Sequence, residues 1–227
     1  MLLSVVIPTL NEERSIAGCL GSARSLEATW GGPLEVVVSD GLSVDATQAI
    51  AREADAVVVA GPAGRGAQLR RGVQASRGEV VLMLHADTTL AAAAGGQLRA
   101  ALGDPAVGCG AFRQRIDARG LRYRLLERGN ALRARRWGAP YGDQAIFVRR
   151  GLLDRVGGVP DLPLMEDVEL MRRLRPITRP VLLDGPVVVS ARRWRRRGVV
   201  RQTARNWSLL AASSAGVAPE RLARWYG

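Results

Sequence analysis

The sequence contains no lysine, a single histidine and two cysteines in 227 residues. Cys19 and Cys109 form neither a metal-spaced cluster nor a disulfide framework, and read as two buried thiols in a reducing compartment. Aromatic residues make up only 4%, too few to interleave with the arginines as a stacking platform for single-stranded nucleic acid. No apolar run approaches the ~18 residues needed to span a bilayer. Met1 to Pro8 has no basic start and no small-residue cleavage pattern, so no secretory signal is read there and a cytoplasmic location is expected. Internal repeats and low-complexity linkers are also missing. The apolar content of 47% argues against disorder.

What is present in excess is arginine. All 33 basic residues are arginine and the formal net charge is +12. The charge is unevenly placed. Residues 1–110 carry 8 Arg against 11 acids, and residues 111–227 carry 25 Arg against 10 acids. Such asymmetry points to a negatively charged partner: nucleic acid, an anionic membrane surface or a phosphorylated substrate. A solvated basic face with no partner is the alternative.

The first half alternates short apolar runs with helical patterns, the pattern of βαβ units around a parallel sheet. Strands are expected at Leu2 to Ile7, Leu34 to Val38, Ala56 to Ala60 and Glu79 to Leu84. Helices are expected at Glu12 to Ala23, with Asn11 as cap, at Asp45 to Glu53, capped by Ser43 or Asp45, and at Ala67 to Ala75. The second half is less regular. It predicts strands at Val107 to Ile116 and Gln144 to Val148, a basic helix at Leu121 to Arg136, and a helix at Glu166 to Leu174. Val181 to Asp184 and Val187 to Ser190 read as a hairpin, followed by helices at Val199 to Ala212 and Pro219 to Tyr226.

Leu84-His85-Ala86-Asp87-Thr88 follows directly on the apolar run Val80 to Leu84. Ligands gather beyond the carboxyl ends of parallel strands, and an acid held there can grip a divalent cation on a diphosphate. Asp87 is therefore the first candidate. Asp40, after the second strand, and Glu166-Asp167, at a helix start, add carboxylates at the ends of other elements. Each alone is an ordinary turn or cap residue. Their order and spacing together are more specific.

SVVIPTLNEE (residues 4–13), DGLSVDAT (40–47), GRGAQLRRGVQASRGEVVLMLHADT (64–88) and GGVPDLPLMEDVEL (157–170) together resemble the family 2 glycosyltransferases of GT-A fold. The resemblance implies a Rossmann-like, mostly parallel α/β sheet flanked by helices, in one domain with C-terminal helices. Residues 1–100 would form a nucleotide-sugar-binding half and residues 101–227 an acceptor-binding half. It further implies an inverting hexosyltransferase with a nucleotide-diphosphate sugar donor, an acceptor hydroxyl on a small molecule or lipid carrier, and Mg²⁺ or Mn²⁺. LHADT, GDQAIFVRR (142–150) and SARRW (190–194) resemble more narrowly a small bacterial subgroup linked by name to arsenosugar biosynthesis and radical-SAM gene neighbourhoods.

Carried over residue by residue, the resemblance gives Pro8, Asn11, Glu12, Asp40 and Arg65 to the donor. It gives Asp87 to the metal and Asp167 to the catalytic base. Glu166 orients or contacts acceptor. Arg193 would pair with diphosphate, Trp194 would stack on acceptor, and Gln144, beside Asp143, would border the acceptor pocket. Glu169 is expected to point away into solvent. The sequence departs from the pattern in three places. His85 replaces the first carboxylate of the family's Asp-x-Asp and either ligates metal or, without touching metal, bonds the ribose or a phosphate. Arg70 stands where many members carry an amide, and SARRW lacks the leading glutamine.

Two rivals remain. A sugar nucleotidyltransferase would want a glycine-rich loop where Pro8-Thr9-Leu10-Asn11 stands. A non-catalytic arginine-rich module for RNA or anionic membrane would not need Asp40, Asp87 and Asp167, and no nucleic-acid partner is expected. For the tail helices, docking on the core, a homodimer contact and an anionic inner-membrane leaflet all stay open.

Overall fold

The computed structural model describes residues 1–226, without the side chains of Arg193, Arg196, Arg197, Ser214, Glu220 and Tyr226. The first half runs β1 (Leu3–Thr9), α1 (Ile16–Ser25), α2 (Glu27–Trp30), β2 (Leu34–Asp40), α3 (Thr47–Glu53), β3 (Val57–Ala60), α4 (Arg65–Ala75) and β4 (Val80–Met83). Next come β5 (Thr88–Leu90), α5 (Ala93–Leu102), β6 (Cys109–Ile116), α6 (Leu121–Trp137), β7 (Phe147–Arg149) and α7 (Arg150–Arg155). The chain ends with α8 (Glu166–Leu174), β8 (Val181–Val189), α9 (Arg192–Arg197), α10 (Val199–Ser214) and α11 (Pro219–Tyr226).

The strands form one mixed eight-stranded sheet in the order β3-β2-β1-β4-β7-β6-β8-β5. β1 to β4 are parallel to one another, β7 reverses, β6 and β8 return parallel, and β5 reverses again. The parallel strands are apolar on both faces because helices cover both. Leu3, Val5 and Ile7 enter one core cluster and Val6 enters the other, as the period of two requires. Cys19 and Cys109 are both buried free thiols, and burial pushes the Cys109 thiol up to about 12.

Several boundaries differ from expectation. The first helix starts at Ile16, because Asn11 caps nothing and sits in the left-handed region at φ 53°. Its backbone N–H donates to Ser43 Oγ at 2.8 Å and its Oδ1 accepts from Val44 N at 2.9 Å, tying the loop after β1 to the loop after β2. The expected hairpin is instead the single strand β8. Phe112 and Gln114 of β6 pair with Leu183 and Val187, so Asp184-Gly185-Pro186 bulges opposite Arg113. Gln97 on α5 satisfies the bulge, accepting from Gly185 N at 2.8 Å. β5 and α5 are not expected from the sequence, because the Ala- and Gly-rich stretch offers little apolar contrast. Gly95 of α5 lies where a Cβ would be 2.5 Å from Leu26 O, so the lack of a side chain permits close helix packing. Among the described residues, no helix is long and apolar enough to cross a membrane.

Candidate active site

The carboxyl ends of β4 and β8 and the amino end of the antiparallel β7 fall on one edge of the sheet, since β4, β6 and β8 share a direction. A cleft of about 870 Å³, measured to its open mouth, lies there. His85 and Asp87 reach it from the turn after β4, Tyr141 and Asp143 from the segment before β7, and Met165 and Asp167 from the start of α8. Ser190 and Trp194 follow β8, and Gln202, Asn206, Leu209 and Leu210 of α10 form the far wall. The turn carrying His85 and Asp87 is fixed through the His85 carbonyl, which accepts from Thr88 N at 3.1 Å and Thr88 Oγ1 at 2.7 Å.

Asp167 is held at both oxygens. Gly142 N donates to Oδ2 at 2.6 Å and Val168 N to Oδ1 at 2.8 Å. Behind it, Glu166 is 1% exposed and forms a two-point ion pair with Arg65, whose Nε and Nη2 donate to the carboxylate, the latter at 3.1 Å. Burial pushes the Glu166 carboxyl up, and Arg65 counters it. The Glu166 carboxylate faces Arg65, and Glu166 is not among the residues that line the cleft. Arg65 lines the cleft with its guanidinium already engaged by a carboxylate.

Asp143 has one satisfied oxygen, Oδ2, which accepts from Gln114 Nε2 at 2.6 Å. Its Oδ1 is buried without a hydrogen-bond partner among the described residues. Burial pushes this carboxyl up, and nearby Asp167 adds to the rise against Arg133. Gln144 is fully buried: it donates to Phe112 O and accepts from Arg133 Nη2 and Tyr141 N. It holds the turn from below, and its neighbours Tyr141 and Asp143 line the cleft in its place.

Pro8, Asn11, Glu12 and Asp40 form a second group at the ends of β1 and β2, outside the cleft wall. Asp40 is fully buried and accepts four hydrogen bonds: from Thr9 Oγ1, Ser43 Oγ, Ser43 N and Gln48 Nε2. A carboxylate has about four acceptor sites, and in this structure protein groups occupy them, so that Asp40 shapes the loop after β2. Burial pushes the Asp40 carboxyl up, and these bonds outweigh it and hold the group below the usual range. Glu12 meets Arg192 at 3.6 Å, linking the first loop to α9. Glu169 is not solvated as expected but pairs with Arg172 and Arg173, whose bonds bring it down to about 2. The Arg193 side chain lies outside the described residues.

Among the described residues, no group of three or more His, Cys, Asp or Glu could hold a metal ion alone. Mg²⁺ and Mn²⁺ on nucleotide phosphates need only one or two protein carboxylates, since the phosphates and water complete the shell. The Asp87 carboxylate lines the cleft and, among the described residues, makes no hydrogen bond or ion pair. It fits that role. The α10 wall was missed at the sequence level because nothing in a helical pattern says which cleft its inner face will close.

A curled mixed sheet flanked by helices is the GT-A architecture. Residues 4–157 match the Glycosyl transferase family 2 profile, and the chain belongs to that family. Solved structures agree on the fold. TarS 1–349 of S. aureus, in complex with UDP-GlcNAc, aligns with a TM-score of 0.65 at 19% identity, over 84% of this chain and 58% of that one. Mannosyltransferase PcManGT of Pyrobaculum calidifontis, with GDP-Man and Mn²⁺, gives 0.61 at 22% identity over 91% and 64%. Glucosyl-3-phosphoglycerate synthase of Mycobacterium tuberculosis, with Mn²⁺, UDP and glucosyl-3-phosphoglycerate, gives 0.55 at 23% over 82% and 71%. The chain thus spans about three fifths of the TarS structure. A search of curated protein sequences finds no match.

Proposed function

We propose that this chain transfers a sugar, with inversion, from a nucleotide-diphosphate donor to an acceptor hydroxyl, with Asp167 as the base. The observation that carries the reading is the placement of Asp87 and Asp167 in one cleft at the ligand-binding edge of a family 2 domain. Asp87 would hold Mg²⁺ or Mn²⁺ on the donor diphosphate. The cation, when bound, offsets negative charge on the departing diphosphate. The loops after β1 and β2, shaped by Asn11, Glu12 and Asp40, would seat the nucleoside beside it.

Asp167 takes the proton from the acceptor hydroxyl as that oxygen attacks the anomeric carbon. The N–H groups on its two oxygens, from Gly142 and Val168, orient it at the start of α8. Glu166 holds Arg65 in the cleft wall, on the side where the donor phosphates would lie. The acceptor side is bounded by Trp194, Leu164, Met165, Leu209 and Leu210, a lining that suits an acceptor with an apolar portion. The arsenosugar subgroup rests on the short motifs alone.

Thermal-shift screening of nucleoside diphosphates with Mn²⁺, followed by donor turnover, tests the reading. At least one nucleotide should raise the melting temperature in a metal-dependent way. Asp87→Ala should remove that shift. Asp167→Asn should keep it while turnover falls by roughly 10²–10⁴-fold. If no nucleoside diphosphate stabilises the protein with Mn²⁺, the reading fails.

A further inference from the structure

We propose that the outward faces of α6 and α10 dock this chain on an anionic lipid bilayer. Leu121, Leu125 and Leu132 of α6 are 72%, 56% and 61% exposed. At 3.6 residues per turn they fall within about 40° of one another on the helix. Arg128 and Arg135 flank that stripe on one side and Arg122 and Arg136 on the other, all exposed. The only acid of α6, Glu127, turns inward to Arg124 and the Ile116 N–H. Arg135 reaches Asp184 at 3.5 Å, but among the described residues no acid pairs with Arg122, Arg128 or Arg136.

α10 carries a second exposed face that mixes apolar residues with arginine. α10 contains no Asp or Glu. Its inward side closes the cleft through Gln202 and Leu209, while Val200, Arg201, Ala204, Trp207 and Ala211 face outward. Tyr123 of α6 and Val199 of α10 belong to one buried cluster, which ties the first turns of both helices to the same part of the core.

An apolar stripe between arginines, with an exposed tryptophan alongside, matches the depth profile of an anionic bilayer surface: apolar side chains below the headgroups, guanidinium groups among phosphates. A nucleic acid would use the arginines and leave the leucines in water. A second copy packed symmetrically on the same face would set arginine against arginine. Docking through this face is independent of the transfer reaction.

The experiment is co-sedimentation of the full chain with phosphatidylglycerol vesicles and with phosphatidylcholine vesicles, at low and at high salt. Binding to phosphatidylglycerol at low salt is expected, weaker by at least about tenfold on phosphatidylcholine or in high salt. Leu125→Glu with Leu132→Glu should lower it by about tenfold or more while the circular-dichroism melt is unchanged. Arg128→Gln with Arg136→Gln should weaken it by roughly fivefold per arginine and flatten the salt dependence. Absence of binding to phosphatidylglycerol at low salt, or undiminished binding by both double variants, overturns the proposal. A dimer in light scattering that the leucine variant dissolves assigns the face to a second copy and overturns it equally.

Discussion

The backbone N–H of Gly142 donates to Asp167 Oδ2 at 2.6 Å, across 25 residues of sequence. The same glycine is the floor for two cleft side chains: a Cβ on it would lie 2.9 Å from His85 Nε2 and 3.2 Å from Asp167 Oδ2. Gly142→Ala must therefore displace the His85 ring and shift the Asp167 carboxylate by a few tenths of an ångström. Misplacement by about 1 Å can lower turnover roughly a hundredfold. We expect kcat to fall by less than that, with nucleotide binding by thermal shift retained. A wild-type kcat in the alanine variant would show that Asp167 does not depend on this contact.

Arg65 and Glu166 lie 101 residues apart and pair by two hydrogen bonds beneath the cleft. Removing Arg65 leaves the buried Glu166 charge uncompensated, typically about 3–5 kcal/mol of stability, whereas apolar replacement of both is often close to neutral. Arg65→Leu alone should lower the urea midpoint sharply, and the double variant with Glu166→Leu should recover most of it. Donor turnover should stay low in the double variant, since the guanidinium is gone from the wall. Recovery of turnover along with stability would reduce Arg65 to a structural residue.

How far the sequence carried the site depends on the kind of information each residue holds. Asp87 and Asp167 could be placed because strand ends and helix starts are local features, and both line one cleft. α8 starts at Glu166 as its acids and apolar spacing require. Asp40 and Gln144 stood in the right segments, but whether a polar side chain faces ligand or protein depends on partners distant in sequence, here Thr9 and Arg133. The β8 bulge was read as a turn because Gly185-Pro186 is turn chemistry, and only pairing with β6 shows that the strand continues past it. β5 has three residues and α5 little amphipathic contrast, so neither left a local signature.

Asp40 gives a pH-dependent test. Its hydrogen bonds hold the folded carboxyl below the usual range, so its stabilisation is present above the unfolded value of about 3.9 and is lost as pH falls below it. Asp40→Asn loses charge-assisted bonds to Ser43 and Gln48 and keeps at most neutral ones. The variant should be less stable at pH 7 by about 2 kcal/mol, with the gap closing toward pH 3. Denaturant melts at the two pH values measure it. A gap that persists unchanged at low pH would assign the loss to packing and not to the charge.

Asp143 carries the opposite sign. Burial raises its folded carboxyl, Asp167 adds to that, and Arg133 opposes it. The unfolded chain therefore gives up this proton first as pH rises, and the group destabilises the fold above about pH 3.9. Asp143→Asn removes the titration. Its amide oxygen can still accept from Gln114, as Oδ2 does at 2.6 Å, and its NH₂ replaces the unpartnered Oδ1. The variant should melt higher than wild type at pH 7, by roughly 2–4 °C for each kcal/mol recovered. The advantage should vanish as pH drops below the ordinary aspartate range. A variant that melts lower at neutral pH would mean that the carboxylate is needed charged, and that the pull of Arg133 exceeds the burial opposing it.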